Sequence, residues 1–467
     1  MCYTACPIIK RMNDNFVATN RFGLGAVPSE KPVVNHRRWL HTQLEDYDPS
    51  PDTWRSVERT LVRVGDWVDE QSALQKASEL QRGVVRETYL RKGRAAYLAG
   101  VEARTTSALQ SRTPFVERLT HFWSNHFALS VEKLAVMGLA ASFEADAIRP
   151  HVLGRFEDLL LASVRHPAML LFLDQSISTG PNSVAGRRAS SRSSGKPSQG
   201  LNENLAREIL ELYTLGVRSG YSQDDVNELA RALTGWTLPG PGLPAGTDQT
   251  FRFHADLHEP GVRQVIGRSY PENGVEQGCS ILRDLAHSPA TAVHIATKLA
   301  RHFVADNPPQ ALVSRLTDRF RQTNGDLLAL YQELVAAPDA WRPTVGKFKS
   351  PWDWAISGMR ALNIQHMPAT RISYLMSQLG QPVWRPGSPS GYGDIAATWA
   401  APDALLRRVE AAQRLAMQVG DKLDARELAP RVLLNSVSKT TTTVIASAES
   451  PSIALALLLC SPEFLRR

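Results

Sequence analysis

Apolar residues recur along most of the chain at intervals of three and four, the spacing that gathers them on one face of an α-helix. Thr113-Pro114 marks a helix start, with Thr as N-cap and Pro at the first helical position, where its missing N–H costs nothing. Phe115, Leu119, Phe122 and His126 then stand at i, i+4, i+7 and i+11, which predicts one stripe turned inward. Residues 157–173 predict a second buried helix, and Ser288-Pro289 opens a third with the stripe Ala292, Ile295, Leu299 and Phe303. In NENLAREILELYTLG, residues 202–216, the stripe is Leu201, Leu205, Ile209 and Leu212, and Gly216 suits the position just past the helix end. Ser222 with Asp225 three residues on predicts a capping box for the next helix.

Three stretches break this rhythm. Residues 176–200, SISTGPNSVAGRRASSRSSGKPSQG, are poor in apolar side chains and predict a disordered basic insertion. Residues 238–246 and 382–393 are rich in Pro and Gly and read as loops. Residues 250–253 and 263–266 alternate weakly, which predicts one short β-hairpin around HADLHEPG. The expected fold is mainly α, a multi-helix globular bundle-like fold with that hairpin and the disordered basic insertion. Its expected parts are an N-terminal helical region (1–175), the insertion (176–200), a central helical region (201–380) carrying the hairpin near 250–266, and a C-terminal helical region (381–467). They would pack as one compact domain or two tightly joined ones.

Composition narrows the class without changing this picture. With 43% hydrophobic and 21% charged residues, the 467-residue chain is too apolar to be disordered. Its longest apolar run, residues 453–460, is far short of the roughly 20 residues a bilayer-crossing helix needs, so no membrane span is expected. MCYTACPIIKRMNDN offers no apolar leader segment, which makes a cytoplasmic location the expectation, and a periplasmic or exported one the alternative if the true start lies elsewhere. Cys2 and Cys6 lack a second pair nearby, so a structural zinc site is not expected. Of the +7 net charge, Arg187, Arg188, Arg192 and Lys196 of the insertion contribute four, leaving +3 for the rest. A basic tract of that kind reads as a solvated loop, and no nucleic-acid partner is expected.

Several clusters could carry chemistry. Glu203, Arg207 and Glu211 form an i, i+4, i+8 ladder of alternating charge that reads as a solvated face. Asn204 and Glu208 border the apolar stripe instead, where a part-buried carboxylate demands an Arg, His or metal partner. In HFWSNHF, His121 and His126 are five apart, about 140° around a helix, and cannot easily chelate one ion. His121 falls with Asn125 on the more polar side, while His126 points into the apolar stripe and needs a hydrogen-bond partner, for which Asn204 or Glu208 is a candidate. His254, Asp256, His258 and Glu259 place four metal-capable side chains within six residues of a loop. His294, Lys298 and His302 line one column of their helix, as an anion site or as a solvated basic face. Hydrolase-elbow, phosphate-loop, zinc-protease and dinucleotide motifs are absent.

Taken together, these residues resemble a bacterial family known as domain of unknown function 1800. The resemblance runs from Arg21-Phe22-Gly23-Leu24-Gly25 through FWSNHF, HPAML, NENLAREILEL, GYSQDDV and LTGW. It continues through His258-Glu259-Pro260-Gly261, HSPATAVHIATKL, the KSP of residues 349–351 and SPEF, and so covers nearly the whole chain. It implies no established activity. Members are often exported and often encoded beside an uncharacterised sulfatase-like family, which implies a partner of that kind. Many members carry a second histidine where this chain has Ser124, which weakens a metal site built on that helix.

Two functions follow as expectations. The first is an enzyme or metal-binding protein with a buried site, in which Glu208, His126 and Arg207 are catalytic and Asn125, Asn204 and Lys298 bind. Here Glu208 is general base or metal ligand, Arg207 holds an anionic substrate group, and His254, Asp256 and His258 hold a divalent metal. The alternative is a non-catalytic binding or assembly protein working with a partner encoded nearby, in which the same polar residues lock helix to helix.

Overall fold

The computed structural model describes residues 13–30, 33–192, 200–240, 250–342 and 346–467. Helices make up most of it, joined by two small two-stranded antiparallel sheets. Buried apolar side chains from Phe16 to Phe464 form one contiguous cluster. No helix among the described residues is long and apolar enough to cross a membrane.

Local chemistry sets the helix starts. Ser222 Oγ accepts the Asp225 N–H at 3.2 Å while the Asp225 carboxylate accepts the Ser222 N–H at 2.7 Å, so the predicted capping box forms on Gln223–Leu233. Ser288 caps Pro289–Phe303 by accepting the Ala290 N–H. The Pro114–His126 helix differs, because the Thr113 side chain makes no cap bond. The Phe115 N–H there is taken by Gln43 Oε1 at 2.8 Å, a tertiary contact that relieves the cap position of its role.

NENLARE starts an α-helix at Asn204–Glu208 that widens into a π-helix over Ile209–Tyr213. The wider turn rotates the stripe. Leu205 and Ile209 are buried as expected, but Leu210 and Tyr213 follow them inward, while Leu201 and Leu212 are only half-buried.

The strands form where alternation predicted them, but their pairing differs. Arg252–Phe253 pairs with Trp236–Thr237, and Arg263–Val265 pairs with Arg268–Tyr270. A 3-10 turn over Ala255–Leu257 sends the two expected partners apart. The second pair closes over Ile266-Gly267, both at positive φ (48° and 71°), the tight two-residue turn whose twist suits a hairpin. Ile266 is β-branched and strained there, and Asp225 Oδ1 holds its N–H at 2.6 Å. Within the basic insertion, Gln175–Ile177 and Val184–Arg192 are helical, and residues 193–199 lie outside the described residues. Residues 382–393 form a loop, as their Pro and Gly content predicts.

Candidate functional site

A cavity of about 430 Å³ opens between the Pro114–His126 helix, the Pro289–Phe303 helix, the start of Pro351–Ala361 and the 382–393 loop. Phe122, Trp352, Trp384 and Tyr392 give it aromatic walls. Four cations, Arg104, Arg118, Lys298 and Arg301, face two carboxylates, Asp353 and Asp394. Both carboxylates also answer to cations behind the wall. Asp353 takes Arg118 at 2.9 Å on one oxygen and Arg467 at 3.0 Å on the other. Asp394 lies 3.4 Å from Lys347 Nζ, which also donates to the Asp394 backbone carbonyl. Lys298 makes no ion pair among the described residues, and burial lowers its ammonium to about 8 against the weaker opposing pull of Asp394.

Two imidazoles border this space. His302 Nδ1 lies 2.8 Å from Asp394 Oδ2, and since a carboxylate only accepts, that nitrogen carries the proton. Its Nε2 is left as a lone pair without a partner among the described residues. His126 Nε2 stands 3.2 Å from the Tyr213 carbonyl, so the same reasoning leaves Nδ1 bare. Burial lowers both rings from the ordinary histidine value, with Lys298 and His294 adding to the effect at His126 and Asp394 opposing it at His302. Asn125 turns the other way and clasps the 382–393 loop, donating to the Tyr392 carbonyl at 2.9 Å and accepting the Tyr392 N–H at 2.8 Å.

Behind the cavity, Glu117, His121 and Glu144 bring ligand-type atoms within 4.8 Å of one another. Their charges are already matched. Glu117 takes both terminal nitrogens of Arg149. Glu144 takes Arg104 and Arg149, Ser124 Oγ at 3.1 Å and Trp384 Nε1 at 3.2 Å. His121 Nδ1 accepts from Trp352 Nε1 at 3.2 Å. A divalent cation would have to sit against two buried guanidiniums and displace their bonds, so this cluster does not fit a metal ion.

The family description "Protein of unknown function (DUF1800)" matches residues 17–466. The chain belongs to this family. No curated protein and no solved structure matches it.

Within this family member, the residues singled out by sequence separate into three places. His126, Asn125 and Lys298 line the cavity. Arg207, Asn204 and Glu208 do not. Arg207 bonds Glu203 at 3.1 Å and Gln223 at 3.0 Å and lies 3.8 Å from Glu211, the solvated ladder that the spacing predicts. Asn204 is exposed, with its N–H held by Asn202 Oδ1 at 2.9 Å. Glu208 is half-buried, and burial with Glu211 nearby pushes its carboxyl up to about 7. The third group surrounds the HADLHEPG turn. His254 and Asp256 are exposed, and Asp256 lies 3.9 Å from Arg188. His258 is buried with Nδ1 2.9 Å from the Thr234 carbonyl, and Glu259 holds both the backbone and side-chain nitrogens of Asn182. Among the described residues, His254, Asp256 and His258 belong to no three-ligand grouping.

The π-helix that follows NENLARE meets the cavity-lining His126 through its backbone instead. The π-helix presents the Tyr213 carbonyl to His126 and the Leu212 carbonyl to His294 at 3.0 Å, with the two rings 6.2 Å apart. Sequence reasoning missed Asp394, Arg118 and Asp353 as site residues. The His294, Lys298 and His302 column was the available signal, and Lys298 and His302 of it face the cavity.

Proposed function

We propose that the cavity binds and acts on a small anionic molecule, with Lys298 as its charge partner and His302 as the proton acceptor. The observation that carries this reading is the excess of cations on the wall, with Lys298 part-buried and lacking any carboxylate of its own. An unpaired buried ammonium is costly, and an anionic ligand removes that cost. Asp394 orients His302 with its proton on Nδ1, leaving Nε2 as the basic nitrogen, covered and without a partner among the described residues, so that a small shift of the cavity wall lets it take a proton from substrate. Arg301, one turn from Lys298, adds positive charge, and Trp352 and Trp384 give the site apolar walls. Asn125 and His126 belong to this site; Glu208 and Arg207 do not line it.

Sulfate titration followed by the fluorescence of Trp352 and Trp384 tests the proposal. Wild-type protein is expected to bind, and Lys298→Met to bind at least about ten-fold more weakly, since a charged hydrogen bond contributes about 1.5–3 kcal/mol. Equal affinity in the two proteins would remove the reading. Dialysis against a chelator is expected to leave sulfate binding unchanged, because the Glu117–His121–Glu144 charges are already compensated.

A further inference from the structure

We infer that Asn125 and Gly391 are positioning residues, which fix the 382–393 loop so that Asp394 meets His302. This rests on the reading of His302 as the proton acceptor. Asp394 is 92 positions from His302 in sequence and follows directly on a loop without helix or strand. Such a segment needs outside anchors to hold a carboxylate at 2.8 Å from a ring nitrogen. Asn125 supplies one two residues before Asp394. Its amide pairs with both the N–H and the carbonyl of Tyr392, as a neighbouring strand would. No other side chain at this position does the same: Asp lacks the donor, and Gln is one methylene too long.

Gly391 makes the clasp possible. Its φ is +77°, and a Cβ there would collide with the Asn125 carbonyl oxygen and stand 2.7 Å from Asn125 Oδ1. The loop therefore approaches the Pro114–His126 helix as closely as a bare backbone allows. Lys347 holds the far end, bonding the Asp394 carbonyl and lying 2.9 Å from Asp306, which in turn accepts the Ala396 N–H at 2.7 Å. The Tyr392 hydroxyl closes the loop on itself by donating to the Pro382 carbonyl. The Asn125 clasp and the Lys347 anchor thus bracket the turn that delivers Asp394, and the first comes from the helix that also carries His126.

The test uses ligand-free full-length protein and the NMR resonance of the His302 Nδ1–H, which a carboxylate partner shifts far downfield. His302→Gln assigns the signal, and Asp394→Asn shows its position without the carboxylate. Asn125→Ala is expected to lose the downfield signal or move it to the Asp394→Asn position, with helix content retained by circular dichroism. Gly391→Ala, which removes no hydrogen-bonding group but pushes the loop off Asn125, is expected to do the same and decides the matter if Asn125→Ala does not fold. An unchanged resonance in the folded variants would overturn the inference. Loss of sulfate binding in wild-type protein would sink the anion site and leave the resonance to judge the clasp.

Discussion

Lys298 illustrates how position changes the chemistry of one side chain. An exposed ammonium stays charged to about pH 10, but burial at the cavity brings this one down to about 8. Only the charged form attracts an anion, so sulfate affinity is expected to be highest below pH 8 and to fall as pH rises through that value. Sulfate does not titrate in this range, and comparison with Lys298→Met over pH 6 to 9.5 separates this lysine from Lys349, whose ammonium burial brings to about 7. Binding also stabilises the ammonium, so calorimetry near pH 8 in buffers of different ionisation enthalpy is expected to register proton uptake. Glu117 is the opposite case. Burial alone would raise its carboxyl, but the two-pronged bond from Arg149 overrides it and holds the group well below the usual carboxylate range. Its stabilising contribution is therefore complete above the unfolded value of about 4.3 and is lost as pH falls toward the depressed folded value. Glu117→Gln leaves Arg149 buried with only Glu144, 3.3 Å away and already shared with Arg104, as charge partner, and a loss of about 3 kcal/mol is expected in urea unfolding at pH 7. A loss below 1 kcal/mol would show that the pair contributes little.

At the scale of elements, the NENLARE segment carries the clearest consequence. Its charge ladder is local and forms as the i, i+4 spacing dictates. Glu208 lies outside that ladder, half-buried beside Glu211, with its carboxyl up to about 7. The unfolded chain releases this proton near pH 4.3, so folding is progressively disfavoured as pH rises from there to about 7. Glu208→Gln is accordingly expected to stabilise the protein at pH 8 by about 1 kcal/mol, after discounting for its partial exposure. No gain is expected at pH 4, and melting curves at the two pH values check this. A uniform loss of stability at both would instead mean that the carboxylate holds a partner. The π-helix that follows matters for another reason. It turns Tyr213 inward and delivers two backbone carbonyls to His126 and His294, so an irregularity in one helix sets the tautomer of a histidine on another.

Across the whole molecule, helix content, the 382–393 loop and membership of the DUF1800 family were legible in the residues, because periodicity, caps and motifs are local signals; of the expected 238–246 loop, residues 241–246 lie outside the described residues. The column of His294, Lys298 and His302 was equally legible as geometry, since all three share one helix. Its meaning was not, because the same spacing describes a solvated face until something covers it. Strand pairing escaped for a related reason: alternation marks a strand but not its partner, and the turn over Ile266-Gly267 closed a shorter loop than the one expected. Asn125, His126 and Lys298 stand in the site, while Glu208 and Arg207 stand elsewhere, because burial at a stripe edge does not say which cavity lies beyond it. The sequence alone determined that the chain is mainly helical and where several helices start, because those signals lie within a few turns of chain; it read residues 157–173 as one helix where the structure has Phe156–Arg165 and Pro167–Phe172. Tertiary structure decided which of those residues meet. It brought Asp394 from a loop to His302, paired Glu117 with Arg149, and left Lys298 facing a cavity without a carboxylate of its own. Such contacts join positions far apart along the chain, and packing of the whole core fixes them.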